Sequence, residues 1–178
     1  NSHVWEIGGF EGRWVQQMWD KFHCNITVFE PQLWAAEKMQ KRFEGISKID
    51  IRPYGLWTEN ATLPIGNYHT DGASLVNDDG REEQQVGEFK NHYYEILNFP
   101  HTINLVLMNI EGGEWHLLPD MIASGIIMRF ENFWCQFHPG LVRNSDDVYK
   151  YICNEIGNRE KLRSLDMLWN CFPTAVAW

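Results

Sequence analysis

No stretch of this 178-residue chain is rich in lysine and arginine. Fifteen basic residues stand against 24 acidic ones, a net charge of -9 with histidine neutral. That balance lacks the basic footprint with which proteins hold nucleic acid, and by itself an acidic surface signals only solubility. No apolar run approaches the roughly 20 residues of a membrane-spanning helix, so no membrane partner is expected. The four cysteines, Cys24, Cys135, Cys153 and Cys171, form no CxxC pair and no zinc-ligand spacing. Scattered in this way they read as reduced and buried, which points to a cytoplasmic protein with no metal centre. Asn25-Ile26-Thr27 and Asn60-Ala61-Thr62 match glycosylation sequons, but no signal-peptide pattern supports them. Internal repeats and low-complexity tracts are also missing.

What is present is apolar and aromatic: 44% of residues are hydrophobic and 14% aromatic. The length suits one domain with one sizeable core over residues 1–178. Strand and helix signals alternate. Residues 3–8 read as a strand, 12–23 as a helix, 25–31 as a strand ended by Pro31 and 32–44 as a helix; 48–57 is a strand that turns at Pro53 and Gly55. "TINLVLMNIEGG", residues 102–113, is the most apolar strand, as expected for one covered on both faces of a parallel sheet. A short helix around 114–124, limited by Pro119, follows, then a strand over 125–134 and a long helix over 145–168 capped at Ser145-Asp146-Asp147. The tail, "CFPTAVAW", reads as a last strand. Residues 58–101 break the rhythm, with strand-like pieces at 61–65 and 73–76, and read as an insertion at one end of the sheet. The expected fold is α/β with a mostly parallel sheet.

In such sheets ligands bind beyond the carboxyl ends of the strands. Three groups of polar residues end strands here. The first is Glu6-Ile7-Gly8-Gly9-Phe10-Glu11-Gly12, where glycines would let a backbone approach a ligand and the acids would repel a pyrophosphate. The second is Glu30, 18 residues after Gly12, at the spacing of an acid that binds ribose hydroxyls. The third is Asn109-Ile110-Glu111-Gly112-Gly113-Glu114. A cationic adenosyl ligand suits an acidic turn better than a dinucleotide does. Each group has a plainer reading as a turn, a strand-end acid or a helix cap.

Taken in order, "VWEIGGFEGRW", "VFEP" and "INLVLMNIEGGEWHLL" resemble the FkbM-type S-adenosylmethionine-dependent methyltransferases. The resemblance covers roughly residues 3–138. It implies a three-layer, Rossmann-like class I methyltransferase fold with a final antiparallel strand. It also implies methyl transfer to a hydroxyl of a sugar or natural product, so the partners would be S-adenosylmethionine and a small-molecule or glycan acceptor. Carried across by position, Glu6, Gly8, Gly9 and Gly12 would line the methionine moiety, Glu30 the ribose, and Tyr54 and Gly55 the adenine. Asn109 would touch the cofactor, and Glu111 and Glu114 would face the cofactor or acceptor. Two places depart from the family: Gly9-Phe10-Glu11 replaces the usual small-Asn pair, and Asn109 stands where the family has Asp, with Met108 where it has Lys or a similar residue. An amide cannot act as a general base, so a catalytically altered, cofactor-binding protein of the same fold is the alternative.

A hydroxyl acceptor must lose its proton, and histidine is the natural base near neutral pH. His138 lies at the expected sheet edge and completes the catalytic set with Glu111 and Glu114; His69 and His116 are weaker candidates. Most of the nine tryptophans sit at core spacing. Trp57 and Trp134, at strand ends near the expected pocket, are the exceptions. The polar, glycine-bearing stretch 66–91 is expected to cover the acceptor side of the pocket as a lid.

Overall fold

The computed structural model describes residues 2–75 and 85–157. Five parallel strands form the main sheet: β1 (His3–Ile7), β2 (Asn25–Phe29), β3 (Ile49–Arg52), β7 (Leu105–Met108) and β8 (Phe133–Cys135), in the order β3-β2-β1-β7-β8. This order, with β1 at the centre, is compatible with a Rossmann-like fold. Helices α1 (Arg13–Phe22) and α2 (Leu33–Arg42) follow β1 and β2, and α4 (Glu114–Ala123) follows β7.

Burial on both faces explains the near-continuous apolar strands. Val4, Ile26, Val28 and Ile51 pack with Val15, Ala36, Met39 and Phe43 on one face. Trp5, Ile7, Phe29, Val106 and Met108 pack with Trp115, Leu118, Met121 and Ile122 on the other. Among the described residues no helix is long and apolar enough to cross a membrane.

The described residues 55–75 and 85–98 build a separate piece. Three short strands, β4 (Gly55–Trp57), β5 (Ala61–Pro64) and β6 (Val86–Asn91), form a second sheet in the order β4-β6-β5, and α3 (His92–Asn98) leaves it. The Asn91 side chain caps α3 by accepting from the backbone N–H groups of Tyr93 and Tyr94. Buried His92 holds α3 to α4 through Nε2, 2.6 Å from Asp120. Residues 73–75 form no strand; Ser74 makes only an isolated bridge to Gly66.

Two further expectations are corrected. Residues 125–134 are not one strand, because Gly125 at φ +74° starts a single 3-10 turn, Ile126–Arg129, which buries Ile126 and Ile127. Only Phe133–Cys135 then joins the sheet. Pro119 does not limit α4, which runs through it to Ala123. Helix α5 (Ser145–Gly157) starts at the expected cap. The expected continuation of that helix to residue 168 and the expected last, antiparallel strand lie outside the described residues.

Candidate functional site

Parallel register aligns the strand ends. Ile7 pairs with Phe29 and Met108, Phe29 with Arg52, and Met108 with Cys135. Gly8, Glu30, Asn109 and Gln136, far apart in sequence, therefore form one row. Backbone hydrogen bonds carry the ladder one step further: Gly8 N–H donates to the Phe29 carbonyl, Asn109 N–H to Ile7 and Gln136 N–H to Met108.

A cleft opens above this row, lined by Gly8, Glu30, Asn109 and Glu111 on the main sheet. Its opposite wall is apolar and comes from the small sheet and its neighbours, notably Leu56, Trp57, Ile65 and Phe89. Asp71, Ala73, Ser74 and Leu75 close over it, so the described part of the insertion reaches the site. The cleft has room for only about 60 Å³ of water within a void of about 650 Å³ that includes the open mouth. Among the described residues its charged lining consists of Glu30, Asp71 and Glu111, all carboxylates.

Glu30 is 3% exposed and takes backbone donors on both oxygens: Phe10 N–H at 2.7 Å and Gln32 N–H at 2.8 Å. Burial raises its pKa to about 7, although these donors favour the charged form. It thus fixes the glycine turn to the start of α2 while facing the cleft. Glu6 is also buried, but it does not line the cleft, and its Oε2 has no partner. Burial, aided by the nearby Glu30 charge, pushes its carboxyl well above the usual range.

The glycines serve packing more than ligand approach. Gly8 has φ +91°, and a Cβ there would lie 2.0 Å from the Asn109 carbonyl oxygen. A Cβ on Gly9 would meet Val28 at 2.2 Å, and one on Gly12 would meet Phe43 at 2.9 Å. Gly8 alone of the three lines the cleft. Tyr54 turns away from it, packing edge-on to Phe29 with its hydroxyl near Arg52 and Glu95, while Gly55 lines the wall.

The three catalytic candidates do converge. His138 Nε2 lies 3.0 Å from Glu111 Oε1, and its Nδ1 lies 3.1 Å from Glu114 Oε1. Fully buried Glu114 also accepts from the backbone N–H groups of Gly112 and His138. Burial opposes a charge on His138, but the two carboxylates outweigh it and raise its pKa to about 9. At neutral pH the ring is an imidazolium that donates to both glutamates. Of the three, only Glu111 reaches the cleft wall. Its backbone has φ +47°, and its carbonyl accepts a hydrogen bond from the Ser74 hydroxyl. No three histidine, cysteine, aspartate or glutamate side chains among the described residues are grouped to hold a metal ion.

The Asn109 side chain lines the cleft with a buried Oδ1 that has no partner. Trp57 lines the apolar wall, its ring 5.6 Å from that of His116. His69 stays outside, against Trp34 and Tyr68, and Trp134 is not in the lining.

Two residues escaped sequence reasoning. Gln32 is buried and binds three groups of its surroundings: its Oε1 accepts from His69 N–H and Trp34 Nε1, and its Nε2 donates to the Thr70 carbonyl. A polar residue opening a helix beside Glu30-Pro31 was the available signal. Asp71 carried only its place in the insertion. Burial raises its pKa and the Glu111 charge adds to this, with Arg13 partly offsetting it.

No protein-family profile, curated protein or solved structure matches this chain. The geometry carries the functional argument.

Proposed function

We propose that this chain is an S-adenosylmethionine-dependent methyltransferase of class I fold, resembling the FkbM type, that methylates a hydroxyl of a sugar or similar small molecule. The observation that carries this reading is the cleft's mixed lining. Carboxylates Glu30, Asp71 and Glu111 line it together with the apolar Leu56, Trp57 and Phe89. A ligand with a sulfonium, an ammonium and a flat adenine suits both kinds of lining. A pyrophosphate would meet three carboxylates and, among the described residues, no basic lining group.

In the proposed reaction the acceptor oxygen attacks the methyl carbon, the carbon–sulfur bond breaks, and the hydroxyl proton leaves to a carboxylate. The sulfonium already activates the methyl group, so alignment supplies most of the catalysis. Glu111 is the proton acceptor on the cleft wall. His138 and Glu114 hold it in place, and His138, charged at neutral pH, is not the base.

Calorimetry with S-adenosylmethionine, S-adenosylhomocysteine and NAD tests the ligand. Binding of the two adenosyl ligands but not NAD is expected, and NAD binding alone would restore a dinucleotide site. Glu30→Ala should weaken adenosyl binding by about 1–3 kcal/mol.

A second reading rests on Asn109, whose amide does not titrate. A protein that binds the cofactor without transferring methyl would show the same calorimetry and no turnover against a panel of glycan and small-molecule hydroxyls.

A further inference from the structure

The strap over the cleft, residues 65–75, is fastened at both ends of its span by buried side chains from outside it and within it. Gln32, 4% exposed, accepts from His69 N–H at 2.8 Å and donates to the Thr70 carbonyl at 3.2 Å. Tyr68, 8% exposed, accepts at its hydroxyl from Leu33 N–H at 3.1 Å, an amide in the first turn of α2 that has no partner within the helix. Ser74, 2% exposed, donates to the carbonyl of Glu111 across the cleft. Two backbone bonds between Gly66 and Ser74, 2.8 and 3.0 Å, close the strap on itself.

With the strap in this position the cleft has room for about 60 Å³ of water. That falls well short of the roughly 300–1,000 Å³ of ordinary small-molecule sites. The same strap carries Asp71, one of the three charged groups of the lining. Opening it removes a wall as well as a roof.

We infer that Gln32 is the latch of a closed strap, and that release of this latch admits ligand to the cleft. The inference deepens the methyltransferase reading and rests on it only for the ligand's identity. The protein is held in a binding-incompetent form by its own hydrogen bonds, and the apparent affinity is lowered by the fraction of closed molecules. Gln32 is suited to the task because one amide serves both a donor and an acceptor of the strap. Alanine at this position would lose both bonds while leaving the sheet untouched.

The test uses a thiol placed under the strap. Leu56 lines the cleft and is 2% exposed. In Leu56→Cys, labelling by a small thiol reagent should be slow and limited by strap opening. In Leu56→Cys with Gln32→Ala it should be roughly tenfold faster, as expected for two lost hydrogen bonds. Tyr68→Phe should give a smaller acceleration. Equal labelling with and without Gln32→Ala overturns the latch.

Hydrogen exchange on Gln32→Ala alone, with no added cysteine, gives a second reading. The Leu33 amide, whose acceptor is the strap's Tyr68 hydroxyl, should exchange roughly tenfold faster than in the unaltered chain while β1 amides do not change; unchanged exchange at Leu33 also overturns the latch. S-adenosylhomocysteine should then protect the thiol of Leu56→Cys. Fast labelling in Gln32→Ala without such protection leaves the latch standing and removes the methyltransferase reading instead.

Discussion

Nε2 of His138 lies 3.0 Å from Oε1 of Glu111, with Glu114 at the other ring nitrogen. The imidazole is clamped between two carboxylates, so its charge is a consequence of residues 24 and 27 positions earlier in the chain. The His138 ring should titrate at about 9 when followed by NMR. Glu111→Gln should lower that value by roughly one unit or more. A His138 that titrates near 6.5 in the unaltered protein would mean that the clamp does not form in solution.

Linkage gives this pair a distinct pH signature. The folded pKa of His138 is raised from 6.5 to about 9. Its contribution is therefore fully present below pH 6.5 and is lost as pH rises through 9. Between pH 6.5 and pH 9.5 the unfolding free energy from urea denaturation should fall more for the unaltered chain than for His138→Gln, by on the order of 2–3 kcal/mol.

Glu30 acts in a lower window. Burial raises its pKa from 4.5 to about 7, so the folded chain holds a proton there that the unfolded chain has released. Stability falls as pH rises from 4.5 to 7 on account of this group. Glu30→Gln should flatten that portion of the curve in denaturation measured at half-unit steps. A curve of unchanged slope would show that the Glu30 carboxyl is ionised throughout.

Gly8 and Gly45 both have left-handed φ, +91° and +83°, but only Gly8 has neighbours where a Cβ would lie. Gly45→Ala should cost about 1 kcal/mol of backbone strain. Gly8→Ala adds a clash with the Asn109 carbonyl oxygen and should cost on the order of 3–5 kcal/mol by chemical denaturation. Similar losses for both would remove the close approach of β1 and β7 ends as the reason for Gly8.

Asn109→Asp adds a fourth carboxylate to the cleft wall. If the proposed cofactor binds here, affinity for S-adenosylmethionine should rise relative to neutral-sulfur S-adenosylhomocysteine, roughly fivefold by calorimetry. An unchanged ratio would count against a sulfonium beside residue 109.

The main sheet was legible because β1, β2 and β7 are apolar runs ended by abrupt polar or glycine signals, and those signals mark the cleft. Glu30, Asn109 and Glu111 were found for that reason. The 3-10 turn at 126–129 was hidden because a short apolar run looks alike as a buried turn or a strand. Helix α3 was hidden by its seven residues, too few to show a helical period. Tyr54 was misplaced because Pro53 and Gly55 redirect the chain, and alternation past β3 does not say which way a phenol turns. The part played by Gln32 depends on His69 and Thr70, 37 and 38 residues away, and no local pattern encodes such a bond.

The central position of β1 has a consequence for how the chain is made. Its neighbour β2 follows within one helix, but its other neighbour, β7, is encoded about a hundred residues later. During synthesis β1 therefore waits with one row of backbone donors and acceptors open until residues 105–108 leave the ribosome. The excursion through 55–98 lengthens that wait, and non-local pairing of this kind is slow to form. A nascent chain stopped ahead of Leu105 would present the open edge of the five-residue β1 to any passing strand, which makes this interval the aggregation-sensitive period of its biogenesis.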